Sequence, residues 1–282
     1  MMTAVSVGGS HQTTSRRLVE SLSVDLNASL VSQLLKARDP VLEAFRSRPL
    51  GTFPYLMVDA RFDRVREGRQ VGSRGFLWAA GVNKKGEREV LGWVEGRGDT
   101  KESWLALLNS LIDRGLAGVE LVVSDTYVGL CKVEEVALPG ARWQGCQAHF
   151  LHRLQGRVAV AEQKVFRAAV QMVLDAPERA QARMQMEVLG DRWRVREPKA
   201  VAYLEENLDS LLAVFDFPVA HQRRLRTTNL LESVVDDLKR KGRQVRASPD
   251  PSIRERVFGA LLMKYHQAWA RISWLNMQTA DA

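Results

Sequence analysis

Residues 55–95 read YLMVDARFDRVREGRQVGSRGFLWAAGVNKKGEREVLGWVE. Three apolar runs stand in this stretch: Tyr55–Val58, leading into Asp59, then Gly75–Val82 and Glu89–Glu95. Asn83-Lys84-Lys85-Gly86, between the second and third, is a good hairpin turn. The simplest reading is three successive antiparallel strands. Downstream, Thr100–Gly115 carries Trp104, Leu107, Leu108, Leu111 and Ile112 at helical spacing, with Thr100 as cap and Gly115 as stop. Val119–Val123 is a short buried strand running into Ser124-Asp125. A short helix around 127–136 and a strand at Ala141–Trp143 follow. The order β-β-β-α-β-α-β predicts an α/β fold with a mixed sheet and flanking helices.

The rest of the chain divides around this core. Residues 1–25 are rich in Ser, Thr and Gly and read as poorly ordered, and 26–46 as one or two helices interrupted by Pro40. From Cys146 to about Phe215, Ala, Gln, Arg, Met and Glu dominate, a helical pattern read as an all-helical insertion. Thr228 or Asn229 opens another helix to about Lys241, with Leu230, Leu231, Val234, Val235 and Leu238 on its apolar face. Ser252–Trp269 is a last amphipathic helix. The expected units are 1–50 as disordered start and helical lead-in, 51–145 as the first part of the core, 146–220 as the insertion and 221–282 as the closing helices and basic tail. Trp78, Trp93 and Trp104 are expected in the core, and Trp274 exposed.

Composition narrows the function. The chain has 282 residues, 41 Lys and Arg against 33 Asp and Glu, a net charge of +8 and a pI of 9.8. A basic balance favours a polyanionic partner. Two cysteines, Cys131 and Cys146, make neither a disulfide framework nor a four-cysteine zinc site. No apolar stretch approaches the roughly 18 residues of a membrane span, and the N-terminus lacks a signal-peptide pattern. The expectation is a cytoplasmic, nucleoid-associated protein with no membrane partner.

Two aspartates close strands that an open sheet of this order can place side by side, Asp59 after the first and Asp125 after the fourth. Neighbouring carboxylates repel unless a divalent cation sits between them. Two-metal phosphoryl transfer uses such a site, with the ions about 3.5–4 Å apart. A third carboxylate is usually needed. Glu232, in a first helical turn beside the apolar face, is the best candidate, with Asp236 one turn later as the second choice. Alone, an Asp at a strand end is more often a turn former or cap, and a Glu in a first helical turn is often only a dipole partner.

Five ordered motifs then carry a resemblance: YLMVDARFDRVREG (55–68), GVNKKGEREVLG (81–92), RGLAGVELVVSD (114–125), PGARWQGCQAHF (139–150) and TTNLLES (227–233). Together they resemble the catalytic region of mutator-type transposases of bacterial insertion sequences, over about Val31 to Trp269. The resemblance implies a ribonuclease-H-like core with an Asp-Asp-Glu triad at Asp59, Asp125 and Glu232 and a helical insertion before the Glu. It implies two Mg²⁺ (or Mn²⁺) ions and cutting and joining of double-stranded DNA, element ends and target, by a homodimer. It also implies a Cys-x-x-His pair, here Cys146 and His149. As a zinc site this pair would need two further ligands, with only Cys131 and His152 nearby, so a structural or DNA-proximal role is the expectation. Tyr127, Cys131, Gly145 and Ser233 depart from the family pattern, and with about 30 unmatched residues before the matching part the family's N-terminal end-recognition region is expected to be missing. The alternative expectations are therefore an inactive, truncated DNA-binding remnant, or a ribonuclease-H-like nuclease that cuts without joining.

Basic residues cluster around Glu232. Residues 223–246 carry a net +5 in 24 residues. Arg226, Asn229, Lys239, Arg240, Lys241, Arg243 and Arg246 are the expected DNA-binding set, since Lys and Arg neutralise phosphates whatever the base sequence.

Overall fold

The computed structural model describes residues 39–67, 70–96, 100–125, 137–231, 234, 236–237, 240 and 251–278. They form an α/β fold with eight α-helices among the described residues. The strands are β1 (Tyr55–Glu67), β2 (Gln70–Val82), β3 (Arg88–Gly96), β4 (Leu121–Ser124) and β5 (Arg142–Gly145). They make one mixed sheet of order β3-β2-β1-β4-β5, with β1 and β2 antiparallel, β2 and β3 antiparallel, and β4 parallel to both β1 and β5. The mixed sheet expected from the element order is present. The poorly ordered start and the helix around 127–136 fall outside the described residues.

The helices are α1 (Asp39–Ser47), α2 (Lys101–Asp113), α3 (Gln147–Gln155), α4 (Gln163–Leu174), α5 (Arg179–Trp193), α6 (Pro198–Leu211), α7 (Val219–Leu225) and α8 (Pro251–Trp269), with 3-10 turns at Ala213–Asp216 and Asn229–Leu231. Of the 26–46 stretch the structure describes α1 from Asp39, with Pro40 in its first turn, where the missing N–H costs nothing; residues 26–38 lie outside the described residues. Thr100 caps α2 as expected, its side chain accepting the Ser103 N–H at 3.3 Å. Ile112 lies at the edge of the α2 stripe and is exposed.

β1 is longer than its apolar run. Pairing with β2 continues at every rung from Tyr55↔Val82 to Glu67↔Gln70, so the two strands project as a ribbon beyond the core. Asp59 therefore lies inside β1, opposite Trp78. The apolar run ends because the strand leaves the core there, while backbone pairing continues. The expected turn joins β2 to β3: Asn83 Oδ1 accepts the N–H groups of Lys85 and Glu87 at 2.9 and 3.1 Å. Gly86 adopts φ +77°, and a Cβ there would lie 1.8 Å from the Leu275 carbonyl oxygen. Only glycine fits that close approach.

The two faces of the sheet bury different partners, because side chains alternate along a strand. Leu56 and Val58 of β1 and Val122 of β4 pack with Trp104, Leu107, Leu108 and Leu111 of α2. Tyr55 and Met57 of β1 and Leu121 and Val123 of β4 pack on the opposite face with Phe258, Leu261 and Leu262 of α8 and with Leu225, Leu231 and Val234. Trp78, Trp93 and Trp104 are core, as expected, whereas Trp274 is half-buried against the α8 side. Arg88 and Arg224 lie over its ring.

Helices α3 to α6 surround a cluster of their own, built on Phe150, Leu154, Phe166, Val170, Leu189 and Trp193. Two buried amides join them to the sheet. Gln144 of β5 and Gln147 of α3 each donate to the Leu211 carbonyl at 3.0 Å, and Gln144 Oε1 accepts the Val214 N–H at 2.7 Å. Buried polar groups thus find partners where apolar packing alone would leave the end of α6 unsatisfied. No helix among the described residues is long and apolar enough to cross a membrane.

Candidate active site at the ends of β1 and β4

The β1–β4 ladder runs Tyr55↔Leu121, Leu56↔Val122, Met57↔Val123. Asp59 and Asp125 each stand two residues beyond the last of these rungs, so the two aspartates share a level on adjacent parallel strands. Strand alternation gives both the parity of Tyr55, Met57, Leu121 and Val123. Both therefore belong to the sheet face that buries Leu225, Leu231 and Val234. Glu232 lies outside the described residues, but its neighbours Leu231 and Val234 are wholly buried on that same face.

Asp59 is only 9% exposed and accepts the Ala60 N–H on Oδ1 at 2.8 Å. Asp125 Oδ2 is paired with the guanidinium of Arg153. Asp125 Oδ1 is buried and has no hydrogen-bond partner among the described residues. Such an oxygen is costly in isolation and is the chemistry of a cation ligand.

Cys146 follows β5 directly and brings α3 to this level. The register Ser124↔Gly145 makes Cys146 the next residue after the last β4–β5 rung, and its N–H donates to the Ser124 carbonyl at 2.7 Å. The thiol is wholly buried. Burial pushes its pKa up, but hydrogen bonding and charge from His149, helped by Thr228, outweigh that and hold it below the ordinary thiol value. His149 rises to about 9. Its hydrogen bond to Cys146 is the largest cause; burial opposes it, and the negative charge of Cys146, Asp59 and Asp125 adds to it. The charge of the two carboxylates beside His149 favours its protonated form.

The expected Cys-x-x-His pair thus lies at the carboxylates. No group of three or more His, Cys, Asp or Glu that would hold a metal is present among the described residues. Cys131 lies outside them.

Two features escaped the sequence reading. Arg153 completes a face with Cys146 and His149 at spacings of three and four residues, the helical signature that could have revealed it. The contact of Cys146 with Thr228 spans 82 residues, and no local pattern encodes it. Among the expected DNA-binding residues, Arg226 is engaged inside the fold. It donates to the Leu174 carbonyl at 2.9 Å, pairs with Asp175 at 3.3 Å and lies over the Phe215 ring. Asn229 is exposed in the 3-10 turn, and Arg240 pairs with Asp237. Asp236 is exposed on a helical residue. Lys239, Lys241, Arg243, Arg246, Tyr127 and Ser233 lie outside the described residues.

Comparison with known proteins places this arrangement. The family model described as Transposase, Mutator family matches residues 2–272. The transposase for insertion sequence element IS406 of Burkholderia multivorans is 35% identical over 263 residues, covering 90% of this chain and 67% of the relative. The transposase for ISRM5 of Rhizobium meliloti is 31% identical, with 94% and 69% covered. The transposase for IS256 in transposon Tn4001 of Staphylococcus aureus is 30% identical, with 90% and 66% covered. The chain spans about two thirds of the length of these relatives. It belongs to the Mutator family of transposases.

Proposed function

We propose that this chain is the catalytic region of a DNA transposase, one that cleaves a strand at the end of an insertion sequence and joins the freed 3′ hydroxyl to target DNA. The observation that carries the reading is the level shared by Asp59 and Asp125, on the sheet face that buries Leu231 and Val234, the described neighbours of Glu232 in sequence. A sheet whose first three strands are antiparallel, with β4 and β5 parallel to β1, supports a ribonuclease-H-like core. Helices α3 to α6 are then the insertion between the second Asp and the Glu.

The donor set fits divalent cations. Asp59 and Asp125 supply hard oxygens on one face, and the buried Oδ1 of Asp125, without a hydrogen-bond partner among the described residues, suits a cation. Asp59, Asp125 and Glu232 would hold Mg²⁺ or Mn²⁺. When bound, a pair of such ions activates the attacking oxygen and stabilises the leaving one. The residues of the chain supply the rest. Parallel pairing of β1 and β4 fixes the spacing of the two carboxylates before substrate arrives. The His149 imidazolium and the Arg153 guanidinium offset their charge. The β1–β2 ribbon extends past Asp59 and carries Arg61 and Arg74. Acting on two element ends favours a dimer on DNA.

Incubation with element-end DNA and Mg²⁺ or Mn²⁺ tests the reading. Strand-joined product is expected from the wild-type chain and none from Asp59→Ala or Asp125→Ala. Equal activity in either variant sinks the assignment, and product cut but never joined identifies a nuclease.

A further inference from the structure

Cys146 connects the strand of the second aspartate to the segment that precedes Glu232. Its backbone N–H donates to the carbonyl of Ser124, the residue before Asp125, at 2.7 Å. Its sulfur accepts the Thr228 N–H at 3.3 Å and lies 3.3 Å from Thr228 Oγ1. The next residue, Gln147, donates its N–H to the Arg226 carbonyl at 3.0 Å. Thr228 in turn accepts the Leu231 N–H at 2.7 Å, closing the turn that leads to Glu232. An unbroken line of contacts thus runs from Ser124 through Cys146 and Thr228 to Leu231.

Thr228 is 4% exposed, so its N–H has no water to turn to. A buried donor that loses its acceptor must move or remain unsatisfied. The sulfur therefore helps keep residues 226–231 against the end of β4, beside the Gln147–Arg226 bond. A metal role for the same thiol has no support, since no third ligand joins Cys146 and His149 among the described residues.

We propose that Cys146 is a positioning residue: its thiol clasps the 226–231 segment, which leads into Glu232 in sequence, through Thr228 and holds that segment at the level of Asp125. The inference rests on the transposase reading for its consequence and on the contacts above for its geometry. Placement of the third carboxylate is the kind of support in which a small displacement lowers turnover without weakening substrate binding.

Three variants of the 282-residue chain test it: Cys146→Ala, Cys146→Ser and Thr228→Val. In Cys146→Ala, amide exchange in residues 226–231 should accelerate at least tenfold while Leu121–Ser124 keep wild-type rates. Mn²⁺ half-saturation, read by water-proton relaxation without DNA, should rise at least threefold. For strand cleavage, kcat should fall at least tenfold, with KM for DNA within twofold. Cys146→Ser keeps a donor and an acceptor and should recover most of each loss. Thr228→Val keeps the N–H···S contact and loses the hydroxyl, so it should fall between. Wild-type exchange and Mn²⁺ binding in Cys146→Ala would overturn the proposal, and so would equal acceleration in β4. Should Cys146→Ala fail to fold, wild-type exchange of 226–231 in Thr228→Val overturns it, and faster exchange there supports it. Activity surviving Asp59→Ala would instead remove the transposase reading while leaving the exchange result standing.

Discussion

Arg153, two turns into α3, lays its guanidinium on Oδ2 of Asp125 at the end of β4. The pair links α3 to the sheet edge and neutralises a carboxylate that would otherwise face Asp59 with like charge. It also covers one of the two oxygens that a cation would use.

The first prediction follows from that competition. Both side chains of the pair are about a third exposed, so it contributes at most about 1 kcal/mol. Arg153→Ala should lower metal-free stability by no more than that and tighten Mn²⁺ binding by roughly two- to fivefold, since 1 kcal/mol is about a fivefold change. Thermal unfolding with and without Mn²⁺ measures both. Weaker Mn²⁺ binding in the variant would show instead that Arg153 orients the carboxylate for its ligand.

The second concerns the joint between α6 and the sheet. Gln144 is wholly buried and bonds the Gly145 and Leu211 carbonyls and the Val214 N–H. Gln144→Leu keeps the volume and leaves that N–H without its acceptor. A loss of about 2–3 kcal/mol in urea unfolding is expected. A loss below about 0.5 kcal/mol would mean that the amide is not what holds α6 to β5.

How much of this was legible in the sequence depends on the range of the interaction. Local patterns carried β3, α2 and α8, whose apolar spacing and caps lie within one element. The shared level of Asp59 and Asp125 was legible because each follows an apolar run that one sheet can pair. The length of β1 was not, because its outer half pairs through backbone groups and needs no apolar side chains. Cys146 was visible as half of a spaced pair, but its partner Thr228 lies 82 residues away and only the closed fold joins them.

The third prediction is a pH dependence from His266 of α8. Burial lowers its pKa, the nearby Arg48 lowers it further, and Glu89 opposes the shift. The Phe45 ring stands edge-on at 4.9 Å, and Nδ1 is buried with no partner among the described residues. Above about pH 6.5 the imidazole is neutral in both folded and unfolded chains, and it costs nothing. Below that value the unfolded chain binds a proton that the folded one resists, so stability falls as pH drops toward the folded pKa. Urea unfolding between pH 7.5 and 5 should show this loss, and His266→Gln should flatten it. An unchanged slope in the variant would assign the acid sensitivity to other groups.

The last prediction separates two arginines in the basic stretch before Glu232. Arg226 has a guanidinium committed to Leu174, Asp175 and the Phe215 ring, and burial lowers its pKa against the opposing charge of Asp175. Its side chain is 17% exposed. Arg223, on α7, is exposed to solvent. A phosphate contact releases condensed counterions and so steepens the dependence of DNA affinity on salt by about one unit of slope. Arg223→Ala should therefore reduce that slope by about 1 with little change in stability. Arg226→Ala should leave the slope unchanged and cost about 1–2 kcal/mol in unfolding, because it removes a hydrogen bond to a carbonyl and a half-buried ion pair. Affinity measured between 50 and 200 mM salt, alongside urea unfolding, distinguishes the two. A slope that falls with Arg226→Ala would mean that this side chain leaves Asp175 to meet the DNA backbone.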